Sequence, residues 1–435
     1  MSTNAESGLR KHRTEFVREN VDADGDPVTP ADPAWQAVSD RVYTVDWSPS
    51  PGLEGDRGLG DVDTDEHEKG PEEHELTVAY ALQRWFVDDN GDPHDLAGDG
   101  LLRDSDNLLP NSHTFVDREA KGTVAAMSTV EARENGKGGA TAKETRIYTV
   151  ARGAKVAEVT LTVDPGDQQP ANVEVAYDSE KGRRFQIDQP QNTGPIHVES
   201  MSANDTSQTL TVEDEGAATT DTVDLNGTTT VSTTSDFSDI DALELDAETE
   251  GDVKVFQDDG AGAAGELICV LDGSSSYDDI EGDLGVPALG AGSHAGAIGS
   301  DYLRTLTDTI TLGGSADYWF EINSKELSVD NNTDPRPRDD SLRQRVEEDI
   351  RDIELSVTSY GESQSVADAR RSLQNVGATI SWSFPGAAVG NGDIDLNSAK
   401  LTDPGTGPYE AEESQMTLDE TFSPEGGGTA GLNVS

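Results

Sequence analysis

The chain has 435 residues, with 86 acidic against 31 basic side chains and a formal net charge of -55. An excess of this size, spread along the whole sequence, excludes a single acidic tail and argues against direct phosphate binding, which needs basic surface. Hydrophobic residues make up 33% of the chain and are patterned, so the charge reads as that of a folded, salt-adapted protein: at molar salt the Debye length falls to roughly 3 Å and self-repulsion is screened.

In chain order, residues 6–21 (ESGLRKHRTEFVRENV) predict a short basic helix within an N-terminal arm, 1–40. RVYTVDWSP (41–49) alternates as a strand, with Tyr43, Val45 and Trp47 on one face, and a polar stretch follows over 50–74. HELTVAYALQRWF (74–86) is the next strand, and 88–112 is rich in turn residues. Further strands are predicted at 113–118, 122–131, 144–151, 155–164, 171–178 and 183–188. From about 196 the texture changes to short strands separated by Gly, Asn and Asp turns, the pattern of a small immunoglobulin-like β-sandwich at 197–273. A Gly/Ala linker (285–300), a hairpin at 316–329 with Asn-Ser-Lys near its turn, and a second polar arm (330–351) come next. A strand at 352–360 precedes a helix at 365–376 closed by Gly377, and strands at 378–384, 393–403 and 409–422 finish the chain.

The phrase Leu-(Ser/Thr)-Val recurs at 76–78, 161–163, 210–212, 327–329 and 355–357. It is period two, with apolar residues towards a core and a small polar residue between them. Its surroundings repeat as well. An aromatic strand (41–48; 316–322), a polar arm, Glu-Leu-(Thr/Ser)-Val (75–78; 354–357), Ala-Lys-(Val/Leu) (154–156; 399–401) and a later strand (171–178; 415–422) occur twice in the same order. The expected fold is therefore mainly β: two tandem β-sandwich or half-barrel domains (41–196 and 274–435) with a flanking helix, bracketing the inserted sandwich.

No catalytic constellation stands out. The seven histidines lack metal-ligand spacing, and DADGDP (22–27) starts like a calcium loop but has Pro27 and Pro33 where the glycine and glutamate belong. There is no nucleophile elbow, phosphate loop or dinucleotide fingerprint. The expectation is no enzyme, no cofactor and no metal. The least implausible enzyme is a glycosidase, which needs only two carboxylates but usually also stacking aromatics, and these are 5% here. The lone cysteine, Cys269 in ELICVL, excludes an intramolecular disulfide and reads as a buried thiol. No apolar run of about twenty residues predicts a membrane helix, and MSTNAESGLRKHRTEF lacks the apolar centre of a signal peptide, so the product is expected to be soluble inside the cell or to leave as part of an assembly. The one basic stretch of the C-terminal half, DPRPRDDSLRQR, carries Arg336, Arg338, Arg343 and Arg345. It reads either as a loop paired with its own aspartates or as an arm contacting an acidic neighbouring subunit.

Two long segments, HELTVAYALQRWFVDDNGDPHDLAGDGLLRDSDNLLPNSHTFVDRE with TRIYTVARGAKVAEVTLTVDPGDQQPANVEVAYDSEKGRRFQIDQP, resemble tail tube proteins of tailed viruses of haloarchaea. The C-terminal NNTDPRPRDDSLRQRVEEDIRDIELSVTSYG, ISWSF and NSAKLTDPGTGPYEAEESQMTLDETFSP are similar to the closing strands of that family. The resemblance covers about two thirds of the chain in texture and strand order, without an invariant motif. It implies subunits joined sheet edge to edge into stacked rings, arms reaching the next ring, and an acidic lumen through which viral DNA passes without sequence-specific binding. The partners implied are further copies of the chain and other tail proteins, in a virion assembled in the host cytoplasm, with no membrane. A duplicated chain would close a ring as a trimer and a single tube domain as a hexamer. A major capsid protein of the same kind of virus is the alternative, though it needs a long spine helix. A secreted or adhesive β-sandwich surface protein is another, though it needs a secretion signal.

Overall fold

The computed structural model describes residues 11–21, 27–30, 36–37, 42–50, 53–56, 66–69, 73–81, 122–132, 143–163, 171–214, 219–240, 242–247, 249–271, 285–286, 309–313, 322–337, 344–348, 351–360, 378–385, 391–403, 417–424 and 432–434. Among them the chain is mainly β, built of antiparallel sheets with no helix, and no helix is long and apolar enough to cross a membrane. The strand predicted at 113–118 and the helix predicted at 365–376 lie outside the described residues.

Two compact units divide the chain. The first comprises Met1–Ala37, Lys121–Gly153 and Gly182–Ala295. Its strand β1 (Lys11–Val21) occupies the stretch expected to be helical. An eight-position antiparallel ladder with β8 (Gly122–Ala132) overrides the weak local helix preference, and Thr14, Phe16, Val17 and Val21 suit a strand. β2 (Pro27–Pro30) and β3 (Gln36–Ala37) also pair with β1. β9 (Lys143–Val163) runs through both 144–151 and 155–164, two predicted strands fused by a left-handed residue, Gly153, at φ 59°. Its first half pairs with β8 and with β11 (Lys181–Asp188).

The same unit holds the sandwich. One sheet orders β15 (Val231–Phe237), β12 (Gly194–Ser200), β17 (Val253–Asp258) and β18 (Ala264–Leu271). The other orders β14 (Thr220–Asp224), β13 (Thr209–Glu213), β16 (Ala242–Leu245) and β19 (Gly285–Val286), so the first residues of the predicted linker are a strand. Alternate residues such as Ile196, Val198, Leu210, Val212, Val253 and Val255 fill one core. That core also takes Tyr148 and Val150 from β9 and Ile187 from β11. Cys269 is buried within it, and burial pushes its thiol up to about 12.

The second unit comprises Val38–Ala120, Ala154–Lys181 and Gly296–Ser435. One sheet runs through β4 (Val42–Ser50), β7 (Glu73–Ala81), β10 (Asn172–Ser179), the second half of β9, β21 (Ile322–Asp330), β24 (Asp352–Tyr360), β27 (Thr417–Pro424) and β26 (Asn391–Asp403). The predicted turn Asn323-Ser324-Lys325 instead lies inside β21, at a bulge. β25 (Ala378–Pro385) pairs with β26 and with β20 (Thr309–Leu312), and β28 (Leu432–Val434) also pairs with β26.

This sheet is the same four-strand set twice, laid head to tail. β4-β7-β10-β9 matches β21-β24-β27-β26 in order, in direction and in register. Trp47, Leu76, Tyr177 and Val156 form one cross-strand row, and Leu327, Leu355, Phe422 and Leu401 form the matching row. Both bulges recur. One lies between Val42 and Thr44 and again between Ile322 and Ser324; the other gives an extra residue at Ala157 and again at Thr402. Gly153 corresponds to Ser398, which is also left-handed, at φ 52°. Bulges and left-handed residues mark defined positions in a sheet, so their joint recurrence argues for duplication more strongly than shared Leu-Ser-Val phrases do. The repeats diverge within the core: Val45, Val78 and Val175 become Lys325, Val357 and Glu420, with Lys325 Nζ 5.7 Å from the centre of the Trp382 ring, and the buried Tyr80 becomes the buried Ser359.

Candidate assembly surfaces

The strand that joins the two repeats shows what an occupied edge looks like. β21 pairs β9 from Lys325↔Val163 to Asp330↔Glu158, and Leu327 and Val329 are fully buried. Just past this ladder, Asn331 fastens β21 to the bulge of β9. Its backbone N–H donates to the Ala157 carbonyl (2.8 Å) and its Nδ2 to the Val156 carbonyl (2.8 Å), while Arg351 Nε donates to its Oδ1 (2.9 Å). Asn331 is wholly buried.

β4 is the counterpart of β21, yet among the described residues it pairs with β7 alone. Val45 and Trp47, matching the buried Lys325 and Leu327, are only half-buried. Trp47 stacks on His74 at 5.4 Å between ring centres and 14° between planes. Among the described residues the apolar face of the sheet thus reaches an edge that carries no second strand, the kind of edge that can template another.

The opposite face of this sheet is polar and acidic. Alternation places small hydroxyl residues such as Thr77, Thr160, Thr162, Ser328, Ser356 and Thr421 on it. Asp46, Glu75, Glu158, Glu174, Glu326, Asp352, Glu354, Asp403 and Asp419 are exposed there. The basic residues on this face, among the described strands, are Lys155 and Lys400, at matching positions in the two repeats.

Each repeat extends a two-stranded hairpin between its first and second strands. In the first it is β5 (Leu53–Asp56) with β6 (Glu66–Lys69); in the second, β22 (Thr333–Pro337) with β23 (Gln344–Glu348). The second is anchored by buried Val346 and by a hydrogen bond from Thr333 Oγ1 to the Asp178 carboxylate. Arg336 and Arg345 lie directly opposite each other in its ladder, whereas Arg338 and Arg343 fall outside the described residues. The sequence marked both hairpins as polar arms. It did not show that β4 lies at the end of the sheet among the described strands, although the early aromatic strand of the repeat was its signal.

In the sandwich, buried polar groups hold turns. Asp205 accepts hydrogen bonds from Ser200 Oγ and from the backbone N–H groups of Glu250 (2.8 Å) and Gly251 (3.2 Å). Asp258 pairs with His197 Nε2 (3.1 Å) and accepts the N–H of Gly260 (2.6 Å). The His197 hydrogen bond, with those from Gly260 and Gly262, holds the Asp258 carboxyl below its ordinary range. Among the described residues no group of three or more His, Cys, Asp or Glu is placed to hold a metal ion. No known family model matches the chain, and no curated protein matches it.

Proposed function

We propose that the chain is a structural subunit that associates edge to edge with its own copies into rings, and that the rings stack into the tail tube of a virus of haloarchaea. The reading is carried by one observation. Two equivalent four-strand sets already pair head to tail through β9 and β21, and among the described residues β4 pairs on one side only, which leaves an edge of the kind that β21 fills within the chain. A heterologous contact of this sort, repeated, closes a ring where its rotation allows. Two repeats per chain favour three chains in a pseudo-sixfold ring. The acidic, hydroxyl-rich face would line the lumen, where like charge keeps a passing DNA phosphate backbone from binding. The strand order and texture shared with tail tube proteins support the same reading, which gives the chain no catalytic role.

Negative-stain electron microscopy of the full chain in multimolar KCl, with light scattering on the same sample, tests it. Rings or stacked tubes with a central hole and three chains per ring are expected. Closed shells would replace the reading with a capsid protein. A strict monomer at every concentration would refute edge-to-edge self-association and favour an adhesive β-protein.

A further inference from the structure

The two ends of one sandwich sheet are finished differently. At β15 the carboxylate of Asp221, from β14, accepts the backbone N–H of Thr234 (2.6 Å) and of Ser235 (2.7 Å), and the Thr234 hydroxyl (2.9 Å). An edge whose donors are already taken offers little to an incoming strand. At the other end, among the described residues, β18 pairs with β17 alone. It holds no proline, and its stretch Leu267-Ile268-Cys269-Val270-Leu271 carries no charge.

The side chains of β18 set it apart as well. Among the described residues three large apolar side chains are exposed: Met201, Leu267 (41%) and Val270 (43%). Two of the three lie on this strand, and in the ladder Leu267 stands opposite the half-buried Phe256. Exposed apolar surface therefore coincides with a sheet edge that nothing guards, a combination that soluble proteins avoid unless something covers it.

Charge and geometry choose the occupant. With 86 acidic residues the chain attracts a basic partner almost anywhere on its surface, so an uncharged strip selects an uncharged strand. The same strip on a second copy is such a strand. Pairing β18 with the β15 of a next copy would let the sheet grow without end, and Asp221 already occupies that edge. Pairing β18 with β18 is self-complementary and closes at two. Two exposed side chains fall far short of the roughly 20–30 residues a side of a standard interface, so backbone hydrogen bonds between the edges must carry much of the contact.

We propose that β18 is a self-docking edge: the β18 strands of two copies of the chain pair antiparallel about a twofold axis, covering Leu267 and Val270 and joining two four-stranded sheets into one. The inference goes beyond the ring reading and does not rest on it, because the ring contact is head to tail and belongs to β4.

The test uses the full chain in multimolar KCl. The double variant L267E/V270E puts carboxylates on both facing edges and alters only exposed side chains, so its near-ultraviolet dichroism should match the parent's. Light scattering should give its particles about half the parent's mass, whether the unit that pairs is a single chain or a ring. Met201→Glu charges the third exposed apolar residue and should leave the mass unchanged. Hydrogen exchange supplies a second reading. Amides of 264–271 should gain protection by about tenfold or more as the parent's concentration rises, while those of 231–237 should not. Equal masses for parent and double variant, β18 exchange that ignores concentration, or the same loss in Met201→Glu would each overturn the proposal. Rings of equal mass in parent and variant would sink this contact and keep the ring reading; two chains falling to one, without rings, would do the reverse.

Discussion

Asn331 offers the sharpest test of how the two repeats are joined. Asn331→Ala removes the bond from Nδ2 to the Val156 carbonyl and the acceptor for Arg351 Nε. A neutral hydrogen bond contributes about 1 kcal/mol and one to a charged group about 1.5–3 kcal/mol, so with partial replacement by water the loss is about 2–3 kcal/mol. The backbone bond from Asn331 to Ala157 survives the substitution, so the damage should stay local. Native-state hydrogen exchange followed by mass spectrometry reads it directly. Peptides covering 158–163 and 325–330 should exchange faster by about 30- to 150-fold, while the β17 peptide in the sandwich keeps its protection. Equal protection at the junction in variant and parent would refute the idea that this side chain fastens the repeats. Uniform acceleration across both units would show instead that the loss is global.

Three further outcomes follow from the same geometry. Gly153→Ala should cost about 1 kcal/mol and Ser398→Gly should stabilise by up to about 1 kcal/mol, because both positions are left-handed and only one holds glycine; paired melting curves check the opposite signs. Asp258 has a depressed carboxyl pKa in the fold, so its contribution is present above its ordinary value of 3.8 and is lost as pH falls through the folded value. Asp258→Asn should therefore flatten the acid limb of sandwich unfolding, followed by near-ultraviolet dichroism from pH 5 down. Finally, a net charge of -55 should make the chain lose structure as KCl is lowered from molar towards 0.1 M, where the Debye length grows to about 10 Å; a fold indifferent to salt would contradict the salt-adapted reading.

Much of this architecture was written in period-two phrases. Leu76-Thr77-Val78, Leu327-Ser328-Val329 and Leu355-Ser356-Val357 announce strands because each alternation is local. The order of the repeat was legible for the same reason. Its register was not, since the bulges fall at Tyr43 and Asn323, and at Ala157 and Thr402, pairs with no residue type in common. Asn323-Ser324-Lys325 looked like a turn because three polar residues in a row carry turn chemistry, and the ladder with β24 overrode it. Lys11–Val21 looked helical because its partner, β8, lies about a hundred residues away. The texture of 197–273 revealed the sandwich, but not that Tyr148, Val150 and Ile187 complete its core, a contact with no local trace. Likewise the arms were visible as polar stretches, whereas the facing of Arg336 with Arg345 depends on a ladder that composition does not encode.

The pairing of β9 with β21 also settles which strand the chain hides from its neighbours. Val159-Thr160-Leu161-Thr162-Val163 is a β-branched, uncharged run, the sort of segment that nucleates fibrils when its edge is bare. It is covered on one side by β10 and on the other by β21, both from the same molecule, so the shield arrives with the hazard at no dependence on concentration. The edge at β4 is of another kind: β4 carries Asp46 and has Pro49 next to its last residue, Ser50, and the sequence that follows β26 runs Pro404-Gly405-Thr406-Gly407-Pro408. Proline withholds a backbone donor, and a charge on an edge discourages indiscriminate pairing. By joining two repeats in one polypeptide, the chain keeps its most amyloid-prone strand permanently occupied and places at the end of the sheet, among the described strands, one that resists accidental growth.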